Sequence, residues 1–314
     1  MAISAPDAPS TALQVLLTAV ADGLPHAWPA DNPGGLQSAL LAEADEWGFP
    51  LYARDGGVHL EYPAAPLSAQ EIADIGGIDP AHIHLPLCCA STNTEVLQDT
   101  SVDVCLTESQ WAGRGRRGRQ WSSPFGRHLY LSYGWTQHNP INAALTIVAA
   151  LSVFTLLQAR LPDLWVKWPN DLWIGGRKLG GILVEARPRD HGGTRLVVGL
   201  GLNIHEDPSL PDTAVSLADL DIRVTRSTLA GTILRQWRED FARFAEEGFT
   251  PFLPLWKKAD RLTRQPVQIS DAQGVRMARV LGLGPDGRLQ VSYTADTGTV
   301  WLSAGDVSLR PQHP

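Results

Sequence analysis

Cysteine, basic charge near the N-terminal end and an unbroken apolar span are all scarce in this chain, and each scarcity narrows its class. Its three cysteines, Cys88, Cys89 and Cys105, are odd in number and two are adjacent. That suits no disulfide framework and indicates a reducing compartment, so a cytoplasmic protein is expected. No basic segment followed by an apolar stretch opens the sequence, and no signal peptide is read. The most apolar run, Ile141 to Ala159, is interrupted by Asn142, Thr146, Ser152, Thr155 and Gln158. A buried helix is predicted there rather than a membrane span. Residues 1–81 hold one basic residue, Arg54, against eleven acidic ones, a formal −10, whereas the rest of the chain holds 25 basic and 22 acidic residues. There is no phosphate loop of the Walker type and no Ser/His/Asp or Cys/His catalytic motif.

What is present is globular. With 314 residues, 44% hydrophobic and 19% charged, two or three domains are expected. After a disordered leader of ten residues, residues 11–20 read as a short helix and Pro25 to Gly35 as a connection. Leu36, Leu40, Leu41, Ala44 and Trp47 recur at helical spacing. Phe49 to Ala53 and Val58 to Tyr62 flank Arg54 to Gly57, a hairpin signal. Helices followed by a small hairpin outline a winged helix-turn-helix. Pro63 and Pro66 mark a linker, and a short helix follows near Ala69 to Asp74.

From about residue 82 the pattern becomes α/β. A strand at Leu129 to Trp135 precedes the apolar helix, and a meander follows over Trp165 to Trp168, Leu172 to Ile174, Gly181 to Ala186 and Arg195 to Asn203. Gly175-Gly176 and His191 to Gly193 supply its turns, and Leu229 to Glu247 forms a second long helix. Beyond residue 265, Val267 to Ser270, Arg276 to Leu281, Leu289 to Tyr293 and Thr299 to Leu302 alternate as short strands of a small β-barrel.

The segment Gln110 to Trp121 holds the densest chemistry. Gly113, Gly115 and Gly118 formally satisfy a dinucleotide-binding spacing, but arginines fill every intervening position and no strand–helix context surrounds them. Four arginines and three glycines in seven residues describe a mobile loop rich in donors for phosphate and carboxylate oxygens. Alone, such a run is equally well explained as a solvated basic loop or a nucleic-acid contact. Val166 to Asp171 (Val-Lys-Trp-Pro-Asn-Asp) and Lys178 to Glu185 (Lys-Leu-Gly-Gly-Ile-Leu-Val-Glu) follow in order, with Ser91-Thr92-Asn93 upstream.

Together these segments resemble the motif set of biotin–protein ligases, over roughly residues 35–310 and nearest to the three-domain bacterial type. The resemblance implies a winged helix-turn-helix-like domain at 1–66, an α/β (α+β) ligase domain with a mixed sheet and helices at 67–263, and an SH3-like β-barrel at 264–314. It implies ATP-dependent formation of biotinyl-AMP, then transfer of biotin to a lysine of a biotin carboxyl carrier protein. Biotin, ATP and Mg²⁺ are the ligands so implied, no membrane is, and room is left for a homodimer through the ligase domain.

Residue roles are carried over on the same basis. Ser91, Thr92, Asn93, Gln110, Arg114, Gly115, Arg116 and Lys178 match the biotin side, with Lys178 and Arg116 as the catalytic pair. Arg116, Arg117, Arg119, Trp121, Lys167, Asn170 and Asn203 match the nucleotide side, and Asp171 a Mg²⁺ contact. Plainer readings stand beside several of these. Thr92 and Glu95 also fit a capping box, Trp121 an ordinary core residue, and Asp171 a turn or cap. Gly199 and Gly201, which resemble the family's glycine strand beneath the nucleotide, also fit packing positions. The ammonium of Lys178 is assigned to offset charge as biotin's carboxylate meets the α-phosphate.

One departure from the family is electrostatic. The stretch matching a recognition helix, Leu36 to Trp47, holds three acidic residues and no basic one. A domain at −10 gains little from displacing counterions on a polyanion, so DNA binding is not expected. Two other readings are a lipoate-type acyl-protein ligase and a non-enzymatic biotin-responsive regulator.

Overall fold

The computed structural model describes residues 9–20, 26–28, 34–62, 65–138, 142–190, 192–271, 274–293, 298–303 and 308–311. Residues 1–8 of the expected leader, most of the 25–35 connection, Pro63 and His191 lie outside them. Ser10 is held to the fold, its hydroxyl donating to Glu43 Oε2 at 2.7 Å, so the ten-residue leader expected from the sequence is too long. Helices α1 (Thr11–Val20) and α2 (Gly34–Glu46) pack with a small sheet of β1 (His26–Ala27), β2 (Leu51–Arg54) and β3 (Gly57–Leu60), in order β1-β3-β2. Asp55 and Gly56 at the β2–β3 tip both take positive φ, 52° and 76°. A two-residue hairpin turn that follows strand twist requires this. Leu13, Leu17, Leu40 and Ala44 are buried between these elements. The expectation that Leu36 joins this apolar face fails: it is 43% exposed, one helical turn beyond the cluster built on Leu40 and Ala44.

This unit does not stand apart. Phe125, fully buried, belongs to its core and meets Phe49 edge-on at 5.7 Å. Trp47 meets Trp111 in the same way at 5.5 Å, and the Tyr62 hydroxyl donates to the Phe125 carbonyl at 2.8 Å. The N-terminal unit therefore grips both ends of the segment between Trp111 and Phe125.

The body begins with α3 (Ala69–Gly76), β4 (Ile83–His84), β5 (Cys88–Cys89), α4 (Thr92–Gln98), β6 (Val104–Thr107) and β7 (Ser109–Gln110). It continues with β8 (Leu129–Gln137), α5 (Leu145–Leu157), β9 (Trp165–Lys167), β10 (Asp171–Ile174), β11 (Arg177–Pro188) and β12 (Thr194–Leu202). Seven of the strands form one sheet, β4-β6-β8-β12-β11-β10-β9, parallel only at β4–β6. The apolar run becomes α5, which packs beside α6 (Arg226–Glu247) over one face of the sheet. Trp237 and Ile147 are among the side chains sealed there. Among the described residues no helix is long and apolar enough to cross a membrane. The opposite face carries α4 and the arginine-rich loop.

After α7 (Leu253–Ala259), an antiparallel sheet of β13 (Pro266–Asp271), β14 (Gly274–Leu283), β15 (Leu289–Tyr293), β16 (Thr299–Leu302) and β17 (Ser308–Pro311) has the order β16-β15-β14-β13-β17. Its fifth strand, β17, was not expected from the sequence. The sheet docks tightly on the body. Trp168 Nε1 donates to the Gly287 carbonyl at 3.0 Å, and a Cβ on Gly287 would come within 2.8 Å of Ala144.

Beyond β12 the chain crosses a basic region. Burial, with Arg226, His128, Arg127 and Arg223 nearby, holds the His205 imidazole down at about 4. Its reference value is about 6.5, so the unfolded chain binds the proton more readily between those values. Stability should therefore fall as pH drops from about 6.5 towards 4. Urea midpoints at neutral and acid pH measure this: His205→Asn should show a smaller loss than the wild type.

Candidate functional site

A cavity of about 340 Å³ opens on the face of the sheet opposite α5 and α6. Its floor is backbone. Gly181 of β11 pairs with Gly201 of β12, and Leu183 with Gly199. Side chains from elsewhere lie flat on this strip. A Cβ on Gly201 would fall 2.3 Å from the Trp121 indole, and one on Gly199 would fall 2.2 Å from Asn93 Oδ1. Both distances are far inside van der Waals contact, so only glycine fits there.

Lys178 reaches the cavity through an irregularity. Leu172 pairs with Gly180 and Trp173 with Lys178, so Leu179 is an extra residue in β11. Leu179 and Gly180 are both buried, and alternation then returns Lys178 to the face of Gly181. A β-bulge re-aims a side chain in this way. Lys178 Nζ lies 2.7 Å from Asp171 Oδ1 and 5.2 Å from the centre of the Trp121 ring. The sequence expectation that the strand begins at Gly181 is corrected: β11 begins at Arg177, with its extra residue at Leu179. The Lys178 backbone also pairs with the 213–215 segment, donating to the Thr213 carbonyl at 2.8 Å and accepting from Val215 N at 3.0 Å.

The arginine-rich loop folds across the opening as a narrow hairpin. Gly115 N donates to the Arg119 carbonyl at 2.6 Å, and Trp121 N to the Gly113 carbonyl at 2.9 Å. Arg116 Nη1 donates to Asn170 Oδ1 at 3.1 Å. Its Nη2 is buried with no partner among the described residues, as is Trp121 Nε1. Buried donors left unmatched cost free energy, so a site holding them suits a ligand rich in acceptor oxygens. Burial also lowers the Arg116 guanidinium from its ordinary value, with Asp171 opposing. Arg117 sits at the loop tip with φ 60° and is exposed.

The Ser91-Thr92-Asn93 segment opens α4, and here the capping-box reading is corrected. Ser91 is the N-cap and makes no side-chain cap bond, while Thr92 already lies within the helix. Thr92 instead uses its backbone N–H and hydroxyl to donate to Gln110 Oε1, at 2.9 and 3.2 Å. Gln110 Nε2 donates to Ser123 Oγ at 2.9 Å. Ser132 Oγ, buried on β8, lies 2.7 Å from Thr92 Oγ1 and 2.6 Å from Asn93 Oδ1. Asn93 Oδ1 can only accept, so the one Ser132 proton goes to it, and the Thr92 hydroxyl proton is shared between Gln110 Oε1 and Ser132 Oγ.

Most of the residues expected at the site therefore meet in one place. Ser91, Thr92, Asn93, Gln110, Arg114 and Gly115 line one part of the cavity. Arg116, Arg119, Trp121, Asn170, Asp171 and Lys178 line the rest, with Asn203 behind them. Asn203 Nδ2 donates to the Val215 carbonyl at 3.1 Å, holding the 213–215 segment against β12. Lys167 and Arg117 do not line it. Lys167 is buried with its ammonium 4.0 Å from the Trp173 ring centre, drawn there by the aromatic face. Sequence reasoning missed Ser132, Glu185 and the Leu210 to Ala214 segment. Glu185 was findable, since it follows Gly181 and Leu183 at a period of two on the same face.

Asp171 is the carboxylate lining the cavity among the described residues, and no cluster of three metal-ligating side chains occurs among them. That donor set fits Mg²⁺ held chiefly by a substrate's phosphates, which commonly needs only one or two protein carboxylates.

Comparison with known proteins agrees with this geometry. Residues 88–203 match the biotin/lipoate A/B protein ligase family. The bifunctional ligase/repressor BirA of Escherichia coli is 34% identical over 279 residues, covering 84% of this chain and 85% of that protein. The biotin–[acetyl-CoA-carboxylase] ligase of Mycobacterium tuberculosis is 33% identical over 238 residues, covering 69% and 85%. In fold, the chain is similar to a biotin protein ligase from Aquifex aeolicus solved with biotin and ATP, with a TM-score of 0.64 at 23% identity, covering 74% of this chain and 99% of that one. With a relative this similar over most of both chains, and with the family's motifs converging on one cavity, the protein belongs to the biotin/lipoate A/B protein ligase family as a biotin–protein ligase.

Proposed function

We propose that this chain joins biotin to a carrier lysine in two steps at the glycine-floored cavity. In the first, the biotin carboxylate attacks the α-phosphorus of ATP, giving biotinyl-AMP and expelling pyrophosphate. In the second, the ε-amine of a lysine on a biotin carboxyl carrier protein attacks the acyl carbon and AMP leaves. The observation that carries this reading is Lys178, turned by the bulge into the same cavity as the unmatched Arg116 Nη2.

The obstacle to the first step is electrostatic. Two unit anions about 4 Å apart repel by roughly 4 kcal/mol at an effective dielectric of about 20. The Lys178 ammonium and the Arg116 guanidinium are placed to offset that repulsion, which sharpens as charge moves onto the α-phosphate. Asp171 keeps the ammonium in position through its 2.7 Å ion pair. Mg²⁺, when bound, supplies charge neutralisation on the pyrophosphate, and Asp171 with Asn170 would hold it. Gln110 offers an uncharged amide to a ureido ring, and the loop shields the mixed anhydride from water.

Around this centre, 1–66 reads as a winged-helix domain, 67–263 as the ligase domain and 264–314 as an SH3-like domain, supported by the helix-and-hairpin unit and the five-stranded C-terminal sheet. The three free thiols favour the cytoplasm. The N-terminal unit acts as a brace for the loop, through Trp47 on Trp111 and Phe49 on Phe125.

Labelled biotin should enter a carboxyl carrier domain in the presence of ATP and Mg²⁺. Lys178→Ala should cut biotin-dependent pyrophosphate release by about 10² to 10³ in rate while leaving the melting temperature near that of the wild type. Near-normal release from that variant would remove Lys178 from the chemistry.

Although relatives are named as repressors, residues 1–81 offer only Arg54 to phosphates. No retardation of duplex DNA from the gene's own upstream region is expected in about 0.1 M salt, with or without biotinyl-AMP. Salt-sensitive, sequence-specific retardation would contradict this.

A further inference from the structure

Glu185 lies two residues beyond Leu183 on β11, outside the lining of the cavity. Its carboxylate is nonetheless fully engaged. Arg114 Nη2 donates to Oε1 at 3.1 Å and to Oε2 at 2.9 Å, and Asn93 Nδ2 donates to Oε2 at 2.7 Å. Arg114 Nη1 also donates to Thr94 Oγ1 at 2.8 Å. One acidic side chain thus joins the arginine-rich loop to the segment that opens α4.

The two ties of the loop differ in kind. Arg116 is held by Asn170, a neutral acceptor inside the cavity, which a ligand phosphate can replace. Arg114 is held by a full charge outside it, a pair that ligand binding need not break. From Glu185 a hydrogen-bonded chain runs through Asn93, Ser132 and Thr92 to Gln110, and so returns to the start of the loop. An anionic side chain would oppose the meeting of two anions, so Glu185 is not suited to the chemistry itself. It is suited to fixing where the loop stands.

We propose that Glu185 is a positioning residue that latches the loop through Arg114 and registers it against Asn93, and thereby sets how long the acyl-adenylate is retained. This rests on the biotin-ligase reading above. The pair is partly exposed, with side-chain exposures of 41% for Arg114 and 28% for Glu185. Its effect is therefore moderate and sensitive to salt.

The test is the dissociation rate of biotinyl-AMP formed on the full chain from biotin and ATP, measured at low and high KCl for the wild type, Glu185→Gln and Thr94→Val, with melting curves as a check on folding. Glu185→Gln should release the adenylate about three- to tenfold faster, with a smaller effect on kcat for pyrophosphate release. Wild-type release should quicken with salt, and Glu185→Gln should show a weaker salt dependence, the remainder coming from the adenylate phosphate on Lys178 and Arg116. Thr94→Val, which removes only the neutral tie, should quicken release less and keep the salt dependence. Release from Glu185→Gln at the wild-type rate, with wild-type salt dependence, would overturn the proposal. Should Glu185→Gln not fold, a wild-type rate indifferent to salt would overturn it equally. Failure of the wild type to form any adenylate would instead overturn the ligase reading, a separate result.

Discussion

One extra residue in one strand decides where the charge goes. Without the bulge at Leu179, strict alternation along β11 would send Lys178 to the side of the sheet covered by α5 and α6. An ammonium there would be buried among the core side chains under α5 and α6, at a high desolvation cost. With the bulge, Leu179 fills the core, and Lys178 stands over the cavity against Asp171. The paired chain at 213–215 then holds the lysine's backbone from outside, so the position of the ammonium is fixed from both sides.

The glycine strip is the complement of that arrangement. Trp121, Asn93 and Lys178 come from three different parts of the chain, and all three press on backbone that carries no Cβ. The loop, the start of α4 and the bulge are thereby brought within reach of one bound molecule. The N-terminal unit contributes at a distance, by gripping Trp111 and Phe125 at the two ends of the loop segment. Its core is shared with the body through Phe125.

Much of this was legible in the sequence because it depends on local pattern. The apolar run forecast α5, the Asp55-Gly56 turn forecast its hairpin, and the order of the motifs forecast which residues gather at the cavity. What escaped depends on register or on partners far along the chain. The bulge left no mark in the residue pattern, and only strand pairing shows the extra residue. Thr92 looked like a cap because its spacing to Glu95 fits one, yet its hydroxyl is claimed by Gln110, eighteen residues away. Lys167 carried a motif position but turned to Trp173, and Leu36 carried helical spacing but lay past the end of its core. Periodicity reports which face a residue occupies, not what waits there.

The central claim is that this cavity brings two anions, the biotin carboxylate and the α-phosphate, together under Lys178 and Arg116. The most direct measurement is exchange of labelled pyrophosphate into ATP, which reports the first step alone and needs no carrier protein. The account predicts exchange that requires biotin and Mg²⁺ together and that lipoate does not support. Exchange driven equally by lipoate, or none with biotin at saturating ATP, would contradict it.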